Sequence, residues 1–164
     1  MKDKSPVFKS VKEKLQTKGF SISNMDDSRP WGGFFVIDET QSAKFAQYYF
    51  PDEDFDALQI TKKLSPKILL VAPHKRLSWQ FHHRRAEIWK CIGGHVGVIT
   101  SDTDVEKIQH ILKKGDVIKL KQGERHRLIG LEKWGIVAEI WQHTDAENPS
   151  NEDDIIRLQD DFGR

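Results

Sequence analysis

The sequence is poor in cysteine and contains no long apolar run. Cys91 is the single cysteine among 164 residues, which excludes an internal disulfide framework and fits a reducing compartment. No stretch approaches the roughly 20 apolar residues that cross a membrane, and the N-terminus has no apolar segment of signal-peptide length. We therefore expect a cytoplasmic protein that does not contact a membrane.

The sequence also lacks a strong net charge. Its 26 Lys and Arg balance 25 Asp and Glu, for a formal net charge of +1. A chain without a strong field of one sign is not expected to bind nucleic acid or an anionic membrane. A small substrate with a phosphate group needs only a local cluster of cations, so this class of ligand stays open.

The N-terminal third mixes helical and extended patterns. Ser5, followed by a proline, is the predicted N-cap of a helix whose apolar residues recur at helical spacing until Gly19. The segment Trp31–Asp38 is aromatic and β-branched, which predicts a strand, and Thr40–Tyr49 has a helical pattern. Pro51–Ser65 is acidic and irregular. It is either a lid or a surface decoration, and its acidity favours a decoration.

From residue 67 onward, short apolar segments alternate with turn signals. Glycine and aspartate, as in KKGD at 113–116 and KQGE at 121–124, supply the conformations that tight turns use. Many short strands without intervening helices indicate a β-sandwich or barrel. The predicted strands are Ile68–Ala72, Leu77–His82, Ile88–Ile92, Val96–Thr100, Val105–Leu112, Val117–Leu120, His126–Ile129 and Ile136–Gln142.

The segment Gln80–Gly94, QFHHRRAEIWKCIGG, carries three candidate metal ligands. Gln80 and His82 lie two residues apart in a predicted strand and therefore share one face, while the alternate residues, among them His83, point to the other face. Glu87 returns on the next strand. The three side chains can therefore converge on one cation.

This segment and a second one downstream resemble the two halves of the cupin signature. The signature is roughly G-x5-H-x-H-x3–4-E-x6-G followed by G-x5-P-x-G-x2-H-x3-N. Gln80 stands at its first His, and His126, in GDVIKLKQGERHRLIG, stands at its last. The resemblance implies a mainly β fold, the cupin double-stranded β-helix or jelly-roll barrel, with a fourth ligand at His126. We predict a cupin domain over residues 29–164 and an N-terminal helical extension over residues 1–28.

Five segments in one order resemble type II phosphomannose isomerases, a cupin family. They are RPWGGF, RLSWQFHHRRAEIW, GERHRL, EIWQ and EDDIIRLQDDFGR, and they cover roughly residues 29–164. The family carries RPWG-x-Y, LSLQ-x-HHHRAEHW, G-x-x-HR, IEVQ and EDDI-x-R-x-x-D-x-YGR at these places. The sequence departs from this pattern at Arg84 and Ile88, where the family has His, and in an insertion at Thr40–Ile68.

The resemblance implies one divalent metal ion per chain, with zinc as the first expectation. Two imidazoles, a carboxylate and an amide oxygen form a mixed nitrogen and oxygen set that equally suits Fe, Mn, Co or Ni. The neutral amide of Gln80 is the weakest member and could instead support another ligand from behind. The implied metal ligands are Gln80, His82, Glu87 and His126.

The resemblance also implies catalytic and substrate-binding residues. Arg85 matches the arginine of the family's HRAE segment, which is thought to take part in isomerisation. Glu139 matches the glutamate of IEVQ. Burial near the metal would raise its pKa and suit it to proton transfer; a buried ion pair with an arginine is the equal alternative. Arg157 and Arg164 match the C-terminal motif, where a guanidinium could hold the substrate phosphate. His83, next to the ligands, is a further candidate for substrate binding.

The resemblance implies a metal-dependent sugar-phosphate isomerase that interconverts mannose 6-phosphate and fructose 6-phosphate or a close pair. A base, Arg85 or Glu139, would move a proton between C2 and C1 while the metal acts as a Lewis acid. A non-catalytic cupin module that binds sugars or regulates, and a metal oxygenase, are the alternatives. A homodimer is compatible with the sequence. His95, His110 and His143 lack comparable context and are expected at the surface.

Overall fold

The structure is a computed structural model that describes residues 3–164. The strands are β1 (Ile22–Asp26), β2 (Gly32–Ile37), β3 (Lys67–Val71), β4 (Trp79–Phe81), β5 (Arg85–Gly93), β6 (Val96–Ser101), β7 (His110–Leu112), β8 (Val117–Leu120), β9 (Arg125–Gly130), β10 (Gly135–His143) and β11 (Ile156–Gln159). The helices are α1 (Ser5–Thr17), α2 (Ser42–Tyr49) and α3 (Phe55–Leu58).

The strands form two antiparallel sheets that face each other. Their spatial orders are β1-β2-β3-β10-β5-β8 and β11-β4-β9-β6-β7. Strands far apart in sequence are neighbours in both sheets, as in the pairing of β10 with β3 and β5. This arrangement confirms the predicted mainly β, cupin-type jelly-roll barrel, and it places segments from both halves of the sequence signature around one interior.

The alternation of side chains along β10 shows how one strand serves two layers. Val137 belongs to the apolar core between the two sheets, whereas Ala138 and Ile140 belong to a second core on the outer side of the six-stranded sheet. Successive residues of a strand point to opposite faces. Glu139 and Trp141 therefore lie on the inner face with Val137, inside the barrel.

The helices cover the outer face of the six-stranded sheet. Phe8, Val11 and Leu15, at helical spacing on α1, are buried in the outer core together with Phe45 of α2. Aromatic contacts reinforce this layer, since the ring of Phe8 lies 5.5 Å from that of Phe35. The helical extension thus packs on the barrel, and its predicted boundary at residue 28 stays a prediction. Its first two residues lie outside the described part.

Three local predictions differ from the structure. Ser5 is the first helical residue of α1 rather than its N-cap; its backbone N–H donates to Asp3 Oδ1 at 2.9 Å. The predicted strand Val105–Leu112 is reduced to β7, because the preceding residues form no ladder and Val105 is 70% exposed. Arg85, predicted in the link between two strands, is the first residue of β5.

The acidic segment Pro51–Ser65, predicted to be a surface decoration, is largely exposed and is anchored in the outer core by Leu58 and Leu64. It contains α3, which Asp54 caps by accepting from the N–H of Asp56 at 3.0 Å. Leu64 is fully buried in the outer core, and its carbonyl accepts from the backbone N–H of Trp141 at 2.8 Å. The segment is therefore tied to β10, a strand that also carries Glu139.

No helix within residues 3–164 combines the length and apolarity that crossing a membrane would require.

Candidate metal centre

Three of the predicted ligands meet inside the barrel. His82 follows β4, Glu87 lies on β5 and His126 lies on β9, and one ligand atom from each falls within 4.8 Å of the others. His82 Nε2 is 3.2 Å from His126 Nε2, and Glu87 Oε1 is 3.1 Å from His126 Nε2. All three side chains are almost fully buried. Such a cluster of nitrogen and oxygen donors suits a divalent transition metal.

The second nitrogen of each imidazole is fixed by the backbone. His82 Nδ1 lies 2.7 Å from the carbonyl oxygen of Asp154, and His126 Nδ1 lies 3.0 Å from that of Glu124. A carbonyl can only accept, so each Nδ1 donates and each Nε2 is left with a lone pair facing the other ligands. Burial lowers the pKa of His82 to about 3, which keeps this imidazole neutral and able to bind a metal.

Glu87 supplies the negative charge of the cluster. Burial alone would raise its pKa, but the Arg85 guanidinium holds the pKa well below its usual value. Its Oε2 accepts from Arg85 Nε at 3.0 Å. Its Oε1 is the one buried side-chain oxygen or nitrogen of residues 3–164 that has no hydrogen-bond partner. An orphaned carboxylate oxygen that points at two imidazoles fits a cation between them.

Gln80 is adjacent to the three ligands but presents its nitrogen. Its Nε2 lies 3.3 Å from His82 Nε2, while its Oε1 accepts from Ser78 Oγ at 2.6 Å. A half-turn of the amide would exchange the two atoms, and the Ser78 hydroxyl could then accept instead of donate. Gln80 is thus placed to be a fourth ligand in the turned orientation, or to lie beside the metal as it stands.

Arg85 connects the ligands to the C-terminal segment. In addition to Glu87, it donates from Nη1 to Ser150 Oγ at 2.9 Å and to the Asn151 carbonyl at 3.0 Å. The guanidinium carbon also lies 3.5 Å from the centroid of the Trp141 ring, a cation–π contact. Arg85 is therefore a buried cation that orients Glu87 and faces the metal site.

Glu139 lines the same pocket as Gln80 and Glu87. It accepts from two indole groups, Trp89 Nε1 at 2.7 Å and Trp141 Nε1 at 2.8 Å. Burial, together with the negative charge of Glu87, raises the pKa of Glu139 to about 7, although Lys67 and Arg85 act in the opposite direction. Both tryptophans therefore hold this carboxyl group.

Lys67 is a site residue that the sequence analysis missed. It is the cross-strand partner of Glu139 in the β3–β10 pairing, and only 5% of the residue is exposed. Its ammonium group lies 3.8 Å from the centroid of the Trp141 ring and pairs with Glu152. A lysine at the start of an apolar strand resembles a surface residue in sequence; only the register shows that it is inside.

The pocket beside the metal ligands is narrow, and its mouth is cationic. The enclosed volume is about 70 Å³, which is room for a few water-sized groups. Four arginines line it: Arg85 beside the ligands, and Arg29, Arg157 and Arg164 at the mouth. Burial and then the positive charges of Arg164 and Arg29 lower the pKa of Arg157. Arg29 pairs with Asp26, and Arg164 pairs with Asp160.

The structure does not bring every predicted residue into this pocket. His83 is exposed on the outer face of the barrel, where its ring packs edge-on against Phe81 at 5.3 Å, as the alternation from Gln80 and His82 requires. His143, predicted at the surface, is fully buried. Its Nδ1 accepts from the Ser150 N–H at 2.9 Å, and burial lowers its pKa to about 4. His95 and His110 are exposed as predicted.

The two substituted positions of the family pattern, Arg84 and Ile88, lie outside the pocket. Ile88 is buried in the outer core, on the opposite face of β5 from Glu87. Arg84 donates to the carbonyl of Asn148 at 3.2 Å and lies away from the metal ligands. Neither substitution removes a group from the candidate metal centre.

The fold and the ligand cluster define a cupin-type barrel with a candidate metal centre. Solved structures support the fold. The capsular polysaccharide assembling protein CapF of Staphylococcus aureus matches with a TM-score of 0.55 and 16% identity over 83% of this chain and 34% of CapF. An oxalate oxidase in complex with glycolate matches with a TM-score of 0.53 and 14% identity over 81% of this chain and 58% of that protein. At these identities the likeness shows the fold alone.

Sequence comparison identifies the family. Residues 38–160 match the family model described as mannose-6-phosphate isomerase C-terminal, and the chain belongs to this family. The alginate biosynthesis protein AlgA of Pseudomonas aeruginosa is 31% identical over 77% of this chain. A mannose-1-phosphate guanylyltransferase of Escherichia coli K12 is 28% identical over 72% of it. The matches span 24% and 23% of these two relatives, so the chain corresponds to about a quarter of their length.

Proposed function

We propose that the protein is a metal-dependent sugar-phosphate isomerase that interconverts mannose 6-phosphate and fructose 6-phosphate or a close aldose and ketose pair. The observation that carries the proposal is the position of Glu139, a buried carboxyl group that lines the same pocket as Gln80 and Glu87, where Glu87 belongs to the ligand cluster with His82 and His126. Family membership supports phosphosugar metabolism as the setting.

Glu139 is the better candidate for the base. A general base works best with a pKa near the operating pH, and Glu139 meets this condition before the metal binds. A nearby divalent cation would lower this raised pKa and keep the carboxylate ionised. Arg85, by contrast, cannot be deprotonated in a protein. Glu139 would remove the proton from C2 of the sugar and return it to C1.

Arg85 would then stabilise negative charge and would not transfer the proton. It holds Glu87 in the orientation of a metal ligand, and its remaining face is directed at the pocket. Negative charge that develops on the sugar oxygens would lie near this fixed cation and the ammonium of Lys67. A metal held by His82, Glu87 and His126, with Gln80 as the fourth ligand in its turned orientation, would supply a Lewis acid for the same oxygens.

The size of the pocket supports one orientation of the substrate. About 70 Å³ accommodates the reacting end of a sugar but not a whole hexose phosphate. The phosphate would lie at the mouth, where Arg157 has no ion-pair partner within residues 3–164 and has Arg29 and Arg164 beside it. A dianionic phosphate would relieve the repulsion among these cations, and a guanidinium can hold it through two hydrogen bonds. Zinc is the proposed metal, with Fe, Mn, Co and Ni as further options.

The proposal is tested with the purified protein after removal and return of each metal. The isomerase hypothesis predicts conversion of mannose 6-phosphate that depends on the metal. Tight binding of the sugar phosphate without conversion would identify a non-catalytic module, and oxygen uptake would identify an oxygenase. Sedimentation of the same sample measures whether the chain is a homodimer.

The ligand assignment has its own experiment. His82→Ala and His126→Ala should each lose the metal, because two ligands of a buried three-residue cluster do not hold a transition metal tightly. The exposed His95→Ala is the matched control and should keep the metal. Elemental analysis measures the content, and full metal in both ligand variants would show that the site is elsewhere.

A further inference from the structure

A groove lies outside the barrel, behind the candidate metal centre. It has a volume of about 650 Å³ and runs between α1, the end of α2 and the outer face of the six-stranded sheet. Neighbouring residues of β5 face the two places: Trp89 belongs to the metal pocket, and Lys90 lines the groove. This volume is within the range of small-molecule sites, about 300 to 1,000 Å³.

Charges of one sign surround this groove. Four lysines from three parts of the fold line it: Lys14 and Lys18 from α1 and its C-terminal end, Lys90 from β5, and Lys114 from the turn after β7. No acidic residue of the described chain lines it. The lysine ion pairs within residues 3–164 involve Lys67 and Lys119, so none neutralises a groove lysine. Like charges around one concavity repel each other, and an anion would relieve that repulsion.

The floor of the groove is apolar and aromatic. Ile92 and Ile136, which are both partly exposed, form part of the surface, and Tyr48 and Tyr49 stand at one end. Half of Tyr48 is exposed, and the ammonium group of Lys18 lies 4.9 Å from the centroid of its ring. A planar ring could stack on Tyr48 beside that cation. The apolar floor would cover the rest of such a ring.

We propose that this groove binds an anionic compound that has a planar aromatic ring and more than one negative charge, the chemistry of a nucleoside diphosphate. The ring would lie on the apolar floor next to Tyr48. The diphosphate would lie among the lysines, since ammonium groups are good point-charge ligands of phosphate. The site is separate from the metal pocket and does not depend on the proposed isomerase activity.

Titration calorimetry with ADP and GDP as probes tests the proposal on the full chain. At least one should bind with a Kd below about 1 mM. Adenosine has the ring without the phosphates, and pyrophosphate has the phosphates without the ring. Each should bind at least about tenfold more weakly, because adenosine loses the charge-assisted contacts and pyrophosphate loses the burial of the ring. Absence of nucleotide binding, or pyrophosphate binding as tight as ADP binding, would overturn it.

Variants locate the bound nucleotide. The double variant Lys18→Gln with Lys114→Gln should weaken binding by about tenfold or more. The control pair, Lys9→Gln with Lys12→Gln, removes the same charge from exposed positions of α1 outside the groove, and should change binding less than twofold. If the groove and control pairs lose affinity equally, only net charge is involved and the proposal fails.

One further variant separates the groove from the arginines of the metal pocket. Arg157→Gln should leave nucleotide binding unchanged, because Arg157 lines the other pocket. Loss of binding in this variant, with binding retained in the groove pair, would place the nucleotide at the metal pocket and refute the groove site. Neither result depends on turnover, so the outcome is independent of whether the protein is an isomerase.

Discussion

Replacing Glu139 by Gln separates the catalytic from the structural role of the buried carboxyl group. In the metal-bound protein, the amide cannot take the proton from C2. Turnover should therefore fall by about 10²- to 10⁴-fold, the range for a positioned acid–base group. The binding of the sugar phosphate and the metal content should stay near those of the parent, because Glu139 is not one of the clustered ligands.

The same substitution should have a pH-dependent effect on the stability of the metal-free protein. The pKa of Glu139 is raised from 4.5 to about 7 in the folded state, so between these values the folded state keeps a proton that the unfolded state has lost. The stability of the parent therefore falls as the pH rises from 4.5 to about 7. The difference corresponds to about 3 kcal/mol, as an order of magnitude.

The Gln variant lacks this ionisation and should escape the loss. One of its two terminal atoms cannot accept from an indole, which leaves Trp89 or Trp141 without a partner and costs about 1 to 3 kcal/mol at every pH. Urea unfolding of the metal-free proteins at pH 4.5 and pH 8 measures both effects. The variant should be weaker than the parent at pH 4.5 and should regain about 3 kcal/mol relative to the parent at pH 8. A difference in stability that does not change with pH would refute the raised pKa.

Three further predictions follow from the packing and the charges. Leu64→Ala should lower the free energy of unfolding in urea by about 2 to 5 kcal/mol, whereas Ile60→Ala, at a position 56% exposed, should change it by less than about 0.5 kcal/mol. Equal effects would show that the acidic segment is not anchored in the core. Arg85→Lys should lower turnover by about 10²-fold and also the melting temperature, because the planar fork that holds Glu87 is lost; unchanged turnover would remove Arg85 from the site. Arg157→Gln should raise KM for the sugar phosphate about tenfold or more with little change in kcat, and an unchanged KM would move the phosphate elsewhere.

The barrel was predictable because the local pattern of short apolar segments and tight turns agrees with the observed strands. Short apolar segments between Gly and Asp turns predicted most strands near their observed bounds. Strand alternation and the cupin resemblance predicted that Gln80, His82, Glu87 and His126 lie close together, as they do. β1 was missed, since ISNMD has little apolar alternation and its residues are mostly exposed. Its pairing with β2 forms it, and that pairing is not visible in the segment itself.

The features of the site that the sequence did not predict depend on strand register and on long-range contacts. Lys67 lies inside only because β3 pairs with β10 opposite Glu139. His143 is buried because Ser65 and Ser150, distant in sequence, bind its two ring nitrogens. Arg29 belongs to the RPWGGF segment, but the sequence predicted no role for it. Its position at the pocket mouth follows from the turn before β2. A one-dimensional pattern contains none of these distances.

The most direct test of the proposed function is the conversion of mannose 6-phosphate to fructose 6-phosphate, followed by NMR, with the metal-stripped protein and the same sample after zinc is returned. We expect conversion that is absent without metal, restored by zinc or by one of Fe, Mn, Co and Ni, and lost in Glu139→Gln with its metal bound. Conversion that persists in the stripped protein, or no conversion with any of the five metals, would contradict it.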